Sequence, residues 1–422
     1  MATVIVVIIG ALVSILLLLR DTLRKRDLIG ANLGEYFSHP FDYELGTRLV
    51  FIKLPRIPYV GSLITFILFF LLLLYIPAMI GASFDGTLTD PQSSNMVVAF
   101  FEDPLLLAGA VVTGVMCYLW RRVFEYVPRA MTSIAKSRHT QDGNYIISPE
   151  AEAQLKSTAS FIFQDGNGRK RSWLLFDVLL GIILICMVVY SELSDLWAFR
   201  EVSAWSDPDH LLGNMVNILV LFVFVYFIRL LLSHVIRLSV AMRSIGKTLS
   251  RENLLHIEPL HPDGAGGLAE FGNLAWRMAL LILPIAFYLL FWWFIRVLPE
   301  QSIGAGPIFL PAVIILIIMI PVVFFLPLWG LHTAMAEAKN RELEVLSRHF
   351  NNNAAAMWKW LENEESMTRD EGLTARENIQ NISSLYEHVL KMPVWPFNIR
   401  TFVRLGGYML VVIVPTLIQW LA

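Results

Sequence analysis

Eight runs of 17–25 largely apolar residues, set apart by charged segments, decide what this chain can become. A bilayer core of roughly 30 Å takes about 20 apolar residues in a helix rising 1.5 Å each. The runs are Thr3–Leu19, Ile57–Gly81, Pro104–Trp120, Trp173–Ser191, Leu211–Leu231, Met278–Leu298, Ile308–Gly330 and Leu405–Ala422. Lipid gives backbone groups no partner, so each run must bond its own N–H and C=O groups as a helix. The alternating pattern of a barrel strand is absent. We expect an all-α polytopic membrane protein of about eight transmembrane helices with a cytoplasmic helical layer.

Composition excludes the competing classes. Hydrophobic residues make up 56% of the chain and charged residues 16%. Soluble domains run near 45–50% and about 25%. An ordinary soluble enzyme, a disordered tail, a coiled-coil rod and a disulfide scaffold are all ruled out. Cys117 and Cys186 lie in apolar runs and read as packing thiols. Two separated cysteines make no zinc site.

Orientation follows from counting cations. If the segment after the first span is cytoplasmic, 31 of the 33 Lys and Arg fall on the cytoplasmic side and only Arg200 and Arg296 on the other. A wrong span count would mix the two sets. The inner side then carries about +6 and the outer side about −8. This predicts a multi-pass protein of the cell inner membrane with both termini outside. Thr3–Leu19 has its basic residues after it and no small-residue cleavage site, so it reads as an uncleaved anchor.

The segments divide the chain into an N-terminal anchor (1–19), a membrane domain (20–330) with cytoplasmic loops 121–172 and 232–277, a hairpin (331–404) and a last span (405–422). Within 20–56, basic and apolar residues mix before the second span, as in a stretch at headgroup level or a simple elbow into that span. Ser148-Pro149-Glu150 predicts a helix over 149–163, closed by the turn QDGNG. Past Leu231 the fifth helix should run on through Ser233, His234, Arg237 and Arg243. In 331–404, apolar residues keep three-four spacing as far as Leu361 and resume at Ile379. The seventh span should therefore continue inward, turn near 363–372, and return until MPVWPF breaks the helix. Pro311, Pro321 and Pro327 should bend that span.

Residues with chemical potential are few. HIEPLHPDGAGGL gathers His256, Glu258, His261 and Asp263, a metal-ligand inventory, and its glycines could nest an anion. The competing reading is a turn, with Pro and Asp placed for type I geometry, leading into a helix near Leu268. Asn214, Asn217 and Thr113 are candidate pore-lining groups or helix-to-helix glue. Pro321 and Pro327 are candidate gating points. Outer acids, among them Asp85, Glu102 and Asp103, form a collar that could concentrate cations, or are simply tolerated outside. His234, His332 and His349 read as interface or helix-surface residues. No nucleophile elbow, nucleotide fingerprint or haem motif is present, so an enzyme is disfavoured and no cofactor is implied. The cytoplasmic cations lie beside spans, which points to the lipid bilayer and its anionic headgroups as partners rather than nucleic acid.

The strings HPDGAGGL at 261–268 and MPVWPFNIRTFVRL at 392–405 resemble a group of uncharacterised bacterial polytopic membrane proteins. The resemblance covers a small part of the chain and implies a bacterial membrane protein without implying an activity. Three functions stay open: an oligomeric channel gated through the cytoplasmic helices, a non-conducting sensor or scaffold docking a cytoplasmic partner, and an enzyme or metal site at 256–267.

Overall fold

The computed structural model describes residues 62–89, 99–135, 175–176, 178–186, 211–251, 263–292, 306–362, 369–397 and 400–410. These are helical apart from turns and short connections, with no strand among them. Five stretches are long and apolar enough to cross a membrane: Ser62–Phe84, Pro104–Ala130, Met215–Thr248, Ala269–Phe291 and Ile314–Lys359. All-helical across its described residues, the chain is a multi-pass integral membrane protein. Of the other expected spans, Thr3–Leu19 lies outside the described residues, residues 178–186 are helical within Trp173–Ser191, and a helix over 400–410 leads into the last. The segment 20–56 and the helix expected over 149–163 also lie outside.

The first crossing is α1 (Ser62–Phe70), a π-helical turn (Leu71–Tyr75) and α2 (Ile76–Phe84). Pro77 has no N–H to give the carbonyl four residues back. A local shift to five-residue bonding, with the Ile76 N–H on the Leu71 carbonyl, carries the helix past it.

Helix α3 (Pro104–Ala135) starts on Asp103, whose Oδ1 accepts the Leu105 N–H at 3.0 Å. It runs well beyond the expected end at Trp120, so the loop over 121–172 begins as helix. Paired Arg121 and Arg122 look like a boundary in sequence. The apolar stripe nonetheless continues at Val123, Phe124, Val127 and Ala130, all buried.

Helix α4 (Leu211–Arg251) runs on past Leu231 as expected. The next crossing is α5 (Ala269–Leu280) and α6 (Leu283–Trp292). Pro284 withholds the donor that the Leu280 carbonyl would take. The chain tightens there, with the Leu281 and Ile282 N–H groups on the Met278 and Ala279 carbonyls, each at 3.2 Å.

Helix α7 (Gly306–Glu362) is unbroken over 57 residues and passes through Pro311, Pro321 and Pro327. Helix α8 (Arg369–Leu390) packs back along it, and Met392–Phe397 forms a non-helical strap.

One contiguous apolar core joins α1, α3, α4, α5, α6 and α7, including Phe70, Trp120, Phe227, Phe271 and Phe324. Its two ends differ in charge. At the acidic end, Asp85 Oδ2 accepts the Gly213 N–H at 2.6 Å, tying α2 to the start of α4. At the basic end, the Arg277 guanidinium lies 4.4 Å over the Tyr126 ring. Arg121, Arg129, Arg243, Lys247 and Lys339 belong to helix portions that meet at that same end. The described helices thus keep the charge partition read from the sequence.

Candidate functional site

The basic end holds a junction of three parts: a buried polar stripe on α4, a strap that fastens α8 to the bundle, and the hairpin of α7 and α8.

The stripe consists of Arg229, Ser233 and Arg237 at four-residue spacing, with His234 next to it and Ser239 further round the same helix. All five are buried, Arg237 completely. His234 sits with its ring 4.9 Å from that of Trp120 and edge-on to Phe124 at 6.0 Å. The Arg229 guanidinium lies 5.4 Å from the Tyr226 ring, and Ser239 Oγ donates to the Val235 carbonyl at 2.7 Å. His234 is therefore a core residue, not the interface or surface residue that its mixed surroundings suggest. The extension of α3 beyond Trp120 covers it. The available signal was the set Val235, Leu238, Ala241, Met242 and Ile245, an apolar stripe too long for a helix foot in water. His349 is exposed, as expected.

The strap is held by His332 and Lys339. The His332 ring stacks on Trp395 at 4.0 Å, with 12° between planes, and Nδ1 donates to the Val394 carbonyl at 2.7 Å. Lys339 Nζ donates to the Leu390 and Met392 carbonyls at 2.7 and 3.2 Å, closing the C-terminus of α8. Phe324 and Phe325 pack on Phe397 and Trp395. Sequence spacing predicted the break at 392–397 but not this clasp.

In the hairpin, Asn378 Nδ2 reaches Asn353 Oδ1 at 3.5 Å, and the Lys339 bonds fix the other end of the same antiparallel register. Its seam is shallow. Leu346, Met357, Ile379 and Ile382 are only half-buried, and among the described α8 side chains only Ala375 and Val389 are buried. Two helices alone cannot enclose an apolar stripe of this width.

The string before α5 is a turn and helix entry. Asp263 Oδ1 accepts the Ala265 and Gly267 N–H groups at 2.8 and 3.1 Å, and Oδ2 accepts that of Ala269 at 3.1 Å. Gly264, Gly266 and Gly267 have positive φ, which glycine adopts without strain. The amide nest is thus filled by the protein's own carboxylate at the N-terminus of α5. His256, Glu258 and His261 lie outside the described residues. Asp263→Ala should cost about 2 kcal/mol, since three amides lose one acceptor. Asp263→Asn should retain part of it. Thermal aggregation midpoints of the purified variants check both.

The candidate pore residues do not converge. Asn217 is half-buried and Asn214 lies one turn earlier on α4. The approach of Gly330 to Arg243 and Lys247 places Pro321 near the level of Ile236, about 19 residues further along α4 than Asn217. That is roughly 28 Å at 1.5 Å per residue. Pro327 is buried and Pro321 half-buried. Thr113 is buried and its Oγ1 donates to the Gly109 carbonyl at 2.7 Å. The described members of the acidic collar are spent on backbone. Asp85 and Asp103 cap helices, and Glu102 Oε2 accepts the Ala99 N–H at 3.3 Å. Among the described residues no group of three or more His, Cys, Asp or Glu is placed to hold a metal. Cys117 and Cys186 are unbridged, the first buried and the second exposed.

A scan against protein-family models matches none, and comparisons with curated proteins and with solved structures likewise return no match. Geometry alone therefore carries the functional reading.

Proposed function

We propose that this protein is a non-conducting membrane scaffold or sensor of the bacterial inner membrane, whose α7–α8 hairpin docks a cytoplasmic protein. The basic end faces the cytoplasm, following the rule that cations stay inside. One observation carries the reading: α7 leaves the bundle unbroken and projects a shallow two-helix layer with an incompletely covered seam. From Gly330 to Glu362 the helix adds roughly 48 Å at 1.5 Å per residue. The contiguous apolar core and the capping work of Asp85, Glu102 and Asp103 support a closed bundle over a cation-gathering pore mouth.

The channel reading retains one supporting feature. Pro321 and Pro327 lie on the same continuous helix as the hairpin, so a pull on the hairpin would reach them directly. A metal at 256–263 would have to draw Asp263 away from three amides. Ion flux in proteoliposomes separates the leading readings. Flux of K⁺, Na⁺, Cl⁻ and H⁺ should equal that of empty vesicles. Flux above that background, reduced by Pro321→Ala, would establish the channel instead.

A further inference from the structure

On one face of α3 an apolar line passes directly into a cationic one. The half-buried Val111 and Val115 are followed by Tyr118 and Arg122, at intervals of four, three and four residues. Arg121 and Glu125 flank this line, their side chains 30% and 42% exposed, and that of Arg122 is 50% exposed. The group is held in place from both helices of the α1–α3 pair. Arg122 Nε donates to the Tyr118 hydroxyl at 3.1 Å, and Ser62 at the start of α1 bonds the same hydroxyl. Arg121 Nε donates to Glu125 Oε1 at 2.8 Å, and its guanidinium lies 5.9 Å from the Phe66 ring of α1. Arg122 Nη1 comes within 3.5 Å of Glu125 Oε2. Two guanidinium groups therefore share one carboxylate, which leaves one positive charge where the apolar line ends.

From this arrangement we infer that Arg121, Arg122 and Tyr118 bind the headgroup phosphate of an anionic phospholipid, with an acyl chain of that lipid along Val111 and Val115. A guanidinium presents paired N–H groups in the geometry of phosphate oxygens. The bonds at Nε fix each fork at its base, which lowers the cost of ordering it on a ligand. One phosphodiester carries the single negative charge that matches the excess on the two arginines. A zwitterionic headgroup brings its own cation and gains less from the same surface. The adjoining apolar line favours a lipid over free phosphate. This site is separate from the hairpin and needs neither the docking reading nor a particular orientation of the bundle.

The test is native mass spectrometry of the full chain released from detergent, titrated with phosphatidylglycerol or with phosphatidylcholine of identical acyl chains. Phosphatidylglycerol should bind at least about fivefold more tightly. Arg121→Gln with Arg122→Gln should weaken it by about tenfold or more and leave phosphatidylcholine binding unchanged. Tyr118→Phe, which releases the Arg122 fork, should weaken it about twofold. Arg348→Gln with Lys359→Gln removes two exposed cations from the hairpin and should change nothing. Excess inorganic phosphate should leave the lipid bound. Elution and helix content check that the variants fold, and Arg122→Gln alone, with an expected loss of about fivefold, is read if the pair does not. Equal binding of the two lipids, or undiminished phosphatidylglycerol binding by the folded arginine variants, would overturn the inference. An equal loss on substituting the hairpin cations would overturn it in favour of unlocalised charge attraction. Displacement of the lipid by inorganic phosphate would overturn it in favour of a simple anion site.

Discussion

Gly330→Ala should destabilise the bundle by about 3 kcal/mol, near the top of the range for overpacking. A Cβ there meets the Arg243 carbonyl oxygen and comes 3.0 Å from the Lys247 nitrogen, both backbone atoms of α4. No side chain can rotate away to make room, so α4 and α7 must separate. Gly246 faces the same crossing from the other side, with a Cβ 2.9 Å from the Leu331 nitrogen. Gly272→Ala should act similarly through the strap, because its Cβ meets the Pro396 carbonyl oxygen and lies 2.8 Å from Phe397 Cβ. Gly406 and Gly407 supply the control. Nothing lies within 4 Å of a Cβ at either, and alanine favours helix by about 1 kcal/mol. In detergent, Gly330→Ala and Gly272→Ala should lower the thermal midpoint by on the order of 5 °C or more. Gly407→Ala should leave it unchanged or raise it. Equal midpoints for all would mean that the α4–α7 crossing is looser than described.

Arg237→Ala should cost about 3–5 kcal/mol, the scale of truncating one member of a buried polar set. Arg237 is fully buried and is among the largest enclosed side chains. Its loss removes volume and leaves the groups around it without their guanidinium. Arg237→Met restores most of the volume but none of the donors, and should recover only part of the loss. Arg243→Ala, exposed on the same helix, should cost less than about 0.5 kcal/mol. The surviving monodisperse fraction after heating, compared across the three variants, gives the ranking. An Arg237→Ala protein as stable as Arg243→Ala would show that the stripe is not part of the core.

What the sequence reveals here depends on range. Apolar length reveals the five crossings described, because lipid imposes it on each segment alone. The continuation of α7 beyond Gly330, the hairpin and the break at 392–397 follow from local periodicity and two prolines. The turn at Asp263 follows from Pro-Asp-Gly chemistry. Helix α3 beyond Trp120 escapes, because paired arginines mimic an interface while the stripe that keeps the helix going is read only against α4 and α5. The burial of His234 escapes for the same reason. The clasp of His332 and Lys339 on the strap joins residues about 50–60 positions apart, and no spacing rule reaches that far. The acidic collar was visible as charge. Its use in capping Gly213 and Leu105 is a matter of geometry.

The docking function requires that the basic end and its hairpin lie in the cytoplasm. Cysteine labelling tests this directly. In a background lacking Cys117 and Cys186, Glu102→Cys and Lys359→Cys each present an exposed thiol at opposite ends of the protein. A membrane-impermeant maleimide applied to cells with a permeable outer envelope should label Glu102→Cys at once. It should label Lys359→Cys only after the inner membrane is opened. Immediate labelling of Lys359→Cys, or labelling of both thiols from the same side, would contradict the orientation and the docking function built on it.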